Sequence, residues 1–401
     1  MGMPRCGRGL TNQERIEIAM AKRAAGWARN AARAGWLGAV LLVGACAGAP
    51  ETSRVVGDDG GPVPPAYRIL TGWTQDNLAD VVPALLRTCR YLQSLGPDHA
   101  VGPAGEAGRV ADWQPACAAA AGLPPRDGAA ARRYFEAWLV PVPLNGGEGQ
   151  EGLFTGYYES ELNGSWTRTG RFNVPVYRMP ARNGHRLPSR AEIARGALAG
   201  QGLELLWVDD PIEAFIMEIQ GSGRVQMPDG SLVGLNYAGQ NGQKYYPIGR
   251  YLVDQGVTTA DQMTMHVIRS WLRQHPDQAQ QVMNLNPSAV FFRLRSSGDP
   301  RGASTELTPR RSLAVDPNFV PLGVPVWLDL HDVPVVPGGL LRTLVMAQDT
   351  GGAIKGPIRG DYFWGHGDEA AYAAGVMKAR GRYFMLVPQA VAQRLQTASR
   401  P

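Results

Sequence analysis

The chain has 401 residues, 44% of them hydrophobic, enough to bury more than one core and too many for wholesale disorder. Its 50 glycines and 31 prolines exceed the ordinary share without reaching that of a low-complexity chain, which points to turn-rich, mainly β domains with peripheral helices. The formal charge of +5 sits in the amino-terminal segment, because residues 1–45 hold seven basic and two acidic side chains and the rest balances at 33 of each; a basic footprint for nucleic acid therefore does not belong to the body of the protein.

From Met20, the candidate start because residues 1–19 do not resemble a signal, a basic stretch leads into the apolar run Ala34–Ala45. The run is shorter than the roughly 20 residues that span a bilayer core. Val43-Gly44-Ala45-Cys46 resembles a bacterial lipobox, which makes residues 1–45 a signal peptide and Cys46 the lipidated first residue of the mature chain. The plainer alternative is an amphipathic helix with an incidental cysteine. Residues 46–66, rich in Gly, Pro and charge, read as a lipidated tether. Export would leave Cys89 and Cys117 in an oxidising space, where a bridge between them would contribute about 3–4 kcal/mol; two separate buried thiols is the alternative.

Helical spacing of Leu78, Val81, Val82, Leu85 and Leu86 predicts a helix over 75–95, and a second is expected at 129–139. After the Gly-rich stretch 145–152, Leu153 to Glu159 is aromatic and strand-like. Short apolar patches at 172–180, 203–208, 212–220 and 231–237 read as strands, with helices at 190–199 and 260–274. From 303 to 388 short strands dominate, interrupted by a helix at 368–379.

The stretch from Leu340 to Gly367 carries the most chemistry. A strand delivers Asp349 to a Gly-Gly turn, and Asp361 follows beside Tyr362, Phe363 and Trp364. A carboxyl group among aromatic side chains and glycines is partly desolvated, which raises its pKa toward that of a general acid, and aromatic faces suit sugar rings. An exposed, inert Asp is the alternative. Asp349-Thr350-Gly351 also matches the D-T-G of aspartic proteases, but that chemistry needs a second D-T-G lobe or a dimer; the chain has no second copy, and the lobes of such a protease would not accommodate the inserted middle region. The six histidines show no paired spacing for a metal, and His366 in Gly-His-Gly reads as an exposed turn.

Five segments taken in order, Phe154-Thr155-Gly156-Tyr157-Tyr158, Phe215 to Gly223, Tyr237 to Gly242, Asn286 to Phe292 and Asp349 to Gly356, resemble the membrane-bound lytic murein transglycosylase A family over about residues 75–390. The last region resembles its 3D domain, whose three aspartates match Asp316, Asp349 and Asp361. The resemblance implies a double-psi β-barrel domain built from both ends of the chain (67–163, with the amino-terminal helices, and 296–395), a smaller inserted β-barrel domain (164–295) and a glycan groove between them. It implies a lytic exotransglycosylase, a carbon–oxygen lyase that cuts the β-1,4 bond between N-acetylmuramic acid and N-acetylglucosamine in peptidoglycan and leaves 1,6-anhydromuramoyl ends. No cofactor or metal is called for, and an outer-membrane lipoprotein facing the periplasm is expected. By motif, the catalytic aspartate falls on Asp361 and a supporting one on Asp349, although the spacer Pro357-Ile358-Arg359-Gly360 is one residue longer than the family pattern.

One carboxyl group suffices for such a reaction, because the C6 hydroxyl of the muramoyl sugar is an internal nucleophile held by its own ring. Thr155, Gly156 and Tyr157 are expected to line the groove, with one of Tyr157 and Tyr158 in the core. Gln220, Ser222 and Gly223 are candidates for binding N-acetyl and hydroxyl groups, or else a buried polar turn. Asp316 reads as a structural turn residue, and Lys355 as an ion partner of Asp349 or a solvated side chain. Glu218 is a lesser candidate for a second carboxylate, which strand alternation would point outward. The competing readings are a hydrolytic muramidase with Asp349 or Glu218 as second carboxylate, and a lipoprotein that binds glycan without cutting it.

Overall fold

The computed structural model describes residues 63–143, 150–181, 184, 186–295, 298 and 300–398, all within one unit, Arg54–Pro401. The signal peptide, Cys46 and the tether as far as residue 62 lie outside the described residues. At Val63 the chain is already buried, and Pro65–Ile69 forms a 3-10 helix.

The amino-terminal helices follow from local chemistry. Val82–Ser94 has Pro83 in its first turn and buries Ala84, Leu85, Thr88, Cys89 and Leu92 at three- and four-residue spacing. The helix expected from residue 75 thus begins later, after a 3-10 turn at Leu78–Val81. Val110–Ala120, which alanine richness hid from a periodicity reading, packs beside it, and a disulfide joins Cys89 to Cys117 with their Cα atoms 5.5 Å apart. Asp127 caps Gly128–Trp138 by accepting the Ala130 N–H at 2.8 Å.

Twelve strands follow among the described residues. The first seven are β1 (Leu139–Pro143), β2 (Gly152–Ser165), β3 (Val174–Tyr177), β4 (Glu204–Val208), β5 (Ser222–Gln226), β6 (Leu232–Gln240) and β7 (Val290–Arg295). The remainder are β8 (Ser312–Val315), β9 (Pro325–His331), β10 (Leu341–Thr350), β11 (Arg359–His366) and β12 (Lys378–Pro388). Strands β12, β9, β10, β8, β11 and β2 pair in that order, and β12 pairs back onto β2, which closes a ring of six. The β10–β8 and β11–β2 pairs are parallel and the others antiparallel. Strand β8 and most of β9 and β10 are buried on both faces, which is why they read as unbroken apolar runs and not as alternation. The amino-terminal helices cover this face: the buried Gln348 side chain donates to Ala84 O and Thr88 Oγ1, each at 3.0 Å.

Strand β2 belongs to two sheets. Its first half pairs with β11 and β12, and from Ser160 it pairs with β5, which continues through β6 to β7, while its end pairs with β4, which in turn pairs with β3. A second, smaller core lies there, built from Leu162, Leu206, Val208, Met217, Val225 and Phe292 among others. At the crossover the fully buried Glu159 carboxylate is held by Arg224 and Arg295, with Nη–O distances of 2.5 and 2.6 Å, so the buried charge is compensated.

The middle of the chain is more helical than its sequence pattern indicates. Residues 212–220, expected as a strand, are the helix Pro211–Gln220: the Asp210 carboxylate accepts from Ile212 N and Glu213 N at 2.8 and 3.2 Å, and Gly221 ends it at φ 80°. A short apolar run does not distinguish strand from buried helix; the Asp-Pro start and Gly end do. Ile248–Asp254 and Pro276–Met283 are further helices, while those expected at 190–199 and 260–274 narrow to Arg190–Ala194 and Met265–Gln274. The helix at 368 stops at Val376, since Lys378 already pairs with Thr155.

Candidate active site

A single rung of the strand ring places the chemistry. Asp349 at the end of β10 pairs with Ala314 on β8; Ala314 pairs with Asp361 on β11; Asp361 pairs with Thr155 on β2; and Thr155 pairs with Lys378 on β12. Residues opposite one another in a sheet point to the same face. All five line one cleft of about 740 Å³, which extends to Gln220, Gly221 and Ser222, to Tyr237 and Gln240 on β6, and to Arg293 on β7. The cleft thus runs from the ring to the second sheet.

Asp361 is partly buried, and its position on an interior strand of the ring keeps it out of open solvent. Its Oδ1 accepts the Thr155 hydroxyl proton, and Thr155 Oγ1 in turn accepts from Arg359 Nη2 at 2.8 Å. Burial raises the Asp361 pKa above the usual carboxylate value, against the opposing influences of the Arg359 charge and the Thr155 hydrogen bond.

Asp349 differs in that both its oxygens are occupied. Oδ1 accepts from Ala303 N at 3.0 Å and from Thr350 N at 2.8 Å, and Oδ2 from the Tyr157 hydroxyl at 2.9 Å. Burial pushes its pKa up to about 6, opposed by those three hydrogen bonds and assisted by the nearby Asp361. Tyr157 packs its ring on Phe363 with centroids 5.1 Å apart. Tyr158 faces the other way into the core, where its hydroxyl accepts from Arg269 Nη2 at 2.7 Å.

The remaining expected residues divide. Thr155, Gly156, Tyr157, Gln220 and Ser222 line the cleft, as do Asp349 and Asp361. Gly156 has no room for a side chain: a Cβ there would stand 2.6 Å from Trp364 Nε1 on β11 and 2.9 Å from Ala374 Cα on the helix Asp368–Val376. Gln220 Oε1 accepts the Tyr158 N–H at 3.0 Å, leaving its amide group for the cleft. Gly223 is not a cleft residue. It pairs between Ser160 and Leu235, and a Cβ would strike Met217 Sδ at 2.5 Å.

Lys355 is not the ion partner of Asp349. It is exposed, and its charge acts on Asp316. Asp316 is buried in a turn, accepting from Gly356 N at 2.9 Å and from Asn318 N and Nδ2 at 3.2 and 2.9 Å; burial pushes its pKa up, but these bonds and Lys355 hold it below the usual value. Glu218 does not point outward either. On a helix instead of a strand, it turns inward to a two-pronged pair with Arg190, at 2.9 and 2.8 Å, and accepts Val290 N at 2.7 Å. His366 is exposed, with Nδ1 3.3 Å from Glu161 Oε1.

Sequence reasoning missed Ala314, Arg359 and Lys378. Arg359 had a signal, since period-two alternation on one strand puts residues 359 and 361 on one face. Ala314 and Lys378 had none, because only strand register brings them to the rung. Among the described residues, no group of three His, Cys, Asp or Glu side chains is arranged to hold a metal, and no helix is long and apolar enough to cross a membrane.

Residues 153–293 match the MltA specific insert domain and residues 311–387 the 3D domain. The membrane-bound lytic murein transglycosylase A of Escherichia coli (strain K12) is 38% identical over 261 residues, which cover 63% of this chain and 69% of that protein. A crystal structure of a membrane-bound lytic murein transglycosylase from Agrobacterium tumefaciens superposes with TM-score 0.74 at 30% identity, covering 82% of this chain and 98% of the other. E. coli MltA with bound chitohexaose superposes with TM-score 0.62 at 30% identity, covering 77% and 90%.

Proposed function

The chain belongs to the membrane-bound lytic murein transglycosylase A family, and from that premise we propose that it cleaves the β-1,4 bond between N-acetylmuramic acid and N-acetylglucosamine in peptidoglycan without consuming water. The observation that carries the reading is the pairing of Asp349 and Asp361 across Ala314: one carboxyl group has both oxygens occupied, and the other keeps one oxygen free beside an open cleft.

Asp361 begins protonated, as its raised pKa favours. It gives its proton to the glycosidic O4 as the bond to C1 of the muramoyl sugar breaks. The C6 hydroxyl of that sugar then closes on C1, and its proton returns to the Asp361 carboxylate. The acid is regenerated, the product carries a 1,6-anhydro ring, and no second carboxylate is needed to activate water. The hydrolytic alternative would need one, yet Asp349 already accepts three hydrogen bonds and Glu218 is committed to Arg190.

The bound chitohexaose of the E. coli relative supports assigning the cleft to a glycan strand. Tyr157, Gln220 and Ser222 would contact it from one side and Tyr237 and Gln240 from the other. We read the closed six-stranded ring, with its two parallel pairs, as a double-psi barrel formed by residues 67–163 and 296–395, and residues 164–295 as the inserted β-domain. The lipobox at Cys46 and the family membership support an outer-membrane lipoprotein working from the periplasmic side. Digestion of peptidoglycan followed by mass spectrometry tests the reaction: anhydromuramoyl ends support it, reducing ends would make the enzyme a hydrolase, and intact strands would make the chain a binding protein.

A further inference from the structure

We propose that Arg359 is a positioning residue that acts through Thr155 to reserve Oδ2 of Asp361 for the proton exchanged with substrate. The inference rests on Asp361 as the acid and base and specifies how that group is oriented.

A guanidinium only donates, and a threonine hydroxyl has a single proton. Because Arg359 Nη2 donates to Thr155 Oγ1 at 2.8 Å, the hydroxyl proton of Thr155 is free to point elsewhere, and it points at Asp361 Oδ1. An Oδ1 that accepts this bond is not the oxygen that carries the acid proton, so the proton resides on Oδ2. From there it passes to O4, and the C6 hydroxyl proton returns to the same oxygen; the Thr155 proton is never transferred. Register builds the arrangement: Arg359 lies opposite Leu153 and Asp361 opposite Thr155, two residues apart on both strands and therefore on one face. The guanidinium is fixed by donating to Leu153 O at 3.2 Å and to Gly360 O.

The charges and titrating groups around Asp361 are Arg359 on its own strand, Asp349 from β10 and Tyr157 from β2, while the ammonium of Lys378 on β12 is turned to Ala260 O at 3.0 Å and Asp261 at 3.5 Å. Removing either Arg359 or its link through Thr155 withdraws support from the carboxylate form, which moves the alkaline limb of activity to higher pH. Arg359→Met, Thr155→Val, Thr155→Ser, the double variant Arg359→Met with Thr155→Val, and Asp361→Asn are compared by pH-resolved kinetics on purified peptidoglycan strands, with folding checked by circular dichroism. Arg359→Met and Thr155→Val are each expected to lower kcat about tenfold or more, with KM nearly unchanged and the alkaline limb raised. Thr155→Ser restores the parent profile, and the double variant is no worse than the weaker single variant to within about twofold. Multiplicative losses in the double variant, or a parent-like Thr155→Val, overturn the proposal. If Arg359→Met does not fold, the contrast between Thr155→Val and Thr155→Ser decides. An active Asp361→Asn would remove the acid assignment itself, whereas an inactive one alongside parent-like Arg359→Met and Thr155→Val removes only the positioning role.

Discussion

Asp349 and Asp361 stand opposite the same residue, Ala314, one on each side of β8, so their Cα atoms are two strand spacings, about 10 Å, apart. A single methyl group lies between them at the cleft floor. The two carboxyl groups share burial but not their partners, and the difference in partners assigns their roles.

Asp361→Asn keeps the side chain's size and its acceptor for the Thr155 hydroxyl but has no proton to give. Turnover is expected to fall by about a hundredfold to ten-thousandfold while the variant still binds glycan, as measured by product release and by calorimetric binding of chitohexaose. Turnover near that of the parent would contradict the account.

Ala314→Leu fills the space between the two carboxyl groups. Glycan binding is expected to weaken at least tenfold, while stability changes by about 1–3 kcal/mol from overpacking. Ala314→Gly should keep binding. Unimpaired binding in the leucine variant would show that glycan does not cross this floor.

Asp349 makes stability pH dependent. Its folded pKa of about 6 lies above the ordinary 3.8, so its protonated form is favoured by folding; that stabilisation is present below about pH 4 and is lost as pH rises through 6. Asn at 349 can keep the backbone bonds and stays neutral, so Asp349→Asn should be more stable than the parent at pH 8 by up to about 3 kcal/mol, with the gain vanishing near pH 4. Denaturant unfolding at both pH values measures this. A gain independent of pH would exclude burial of a charge as its cause.

Much of this site was legible in the sequence. Asp361, Asp349, Thr155 and Tyr157 lie in motifs whose residue types suit a shielded acid in a sugar cleft. Three matters were not. The helix at 211–220 was hidden because an apolar run of that length fits a strand, and with it went the direction of Glu218. Gly223 lies beside Ser222 in sequence but faces Met217, as alternation along β5 requires. Lys378 reaches the rung only by long-range pairing with Thr155, which no local pattern encodes.

Glu218→Gln separates structure from chemistry. It leaves the mostly buried Arg190 without its ionic partner, and a loss of about 3–5 kcal/mol in stability is expected. The folded fraction should still yield anhydro products at the parent's rate. A stable variant without activity would revive Glu218 as a second carboxylate.

Cys46→Ala removes the residue that the lipobox would acylate. The variant is expected in the soluble periplasmic fraction, with the parent in membranes, as read by fractionation and immunoblotting. Membrane association unchanged by the substitution would refute the anchor.

The most direct test of the central claim is digestion of peptidoglycan in water enriched in heavy oxygen, with the new chain ends read by mass spectrometry. The expected products are 1,6-anhydromuramoyl ends that contain no oxygen from the solvent. Reducing ends that carry the heavy isotope would contradict it.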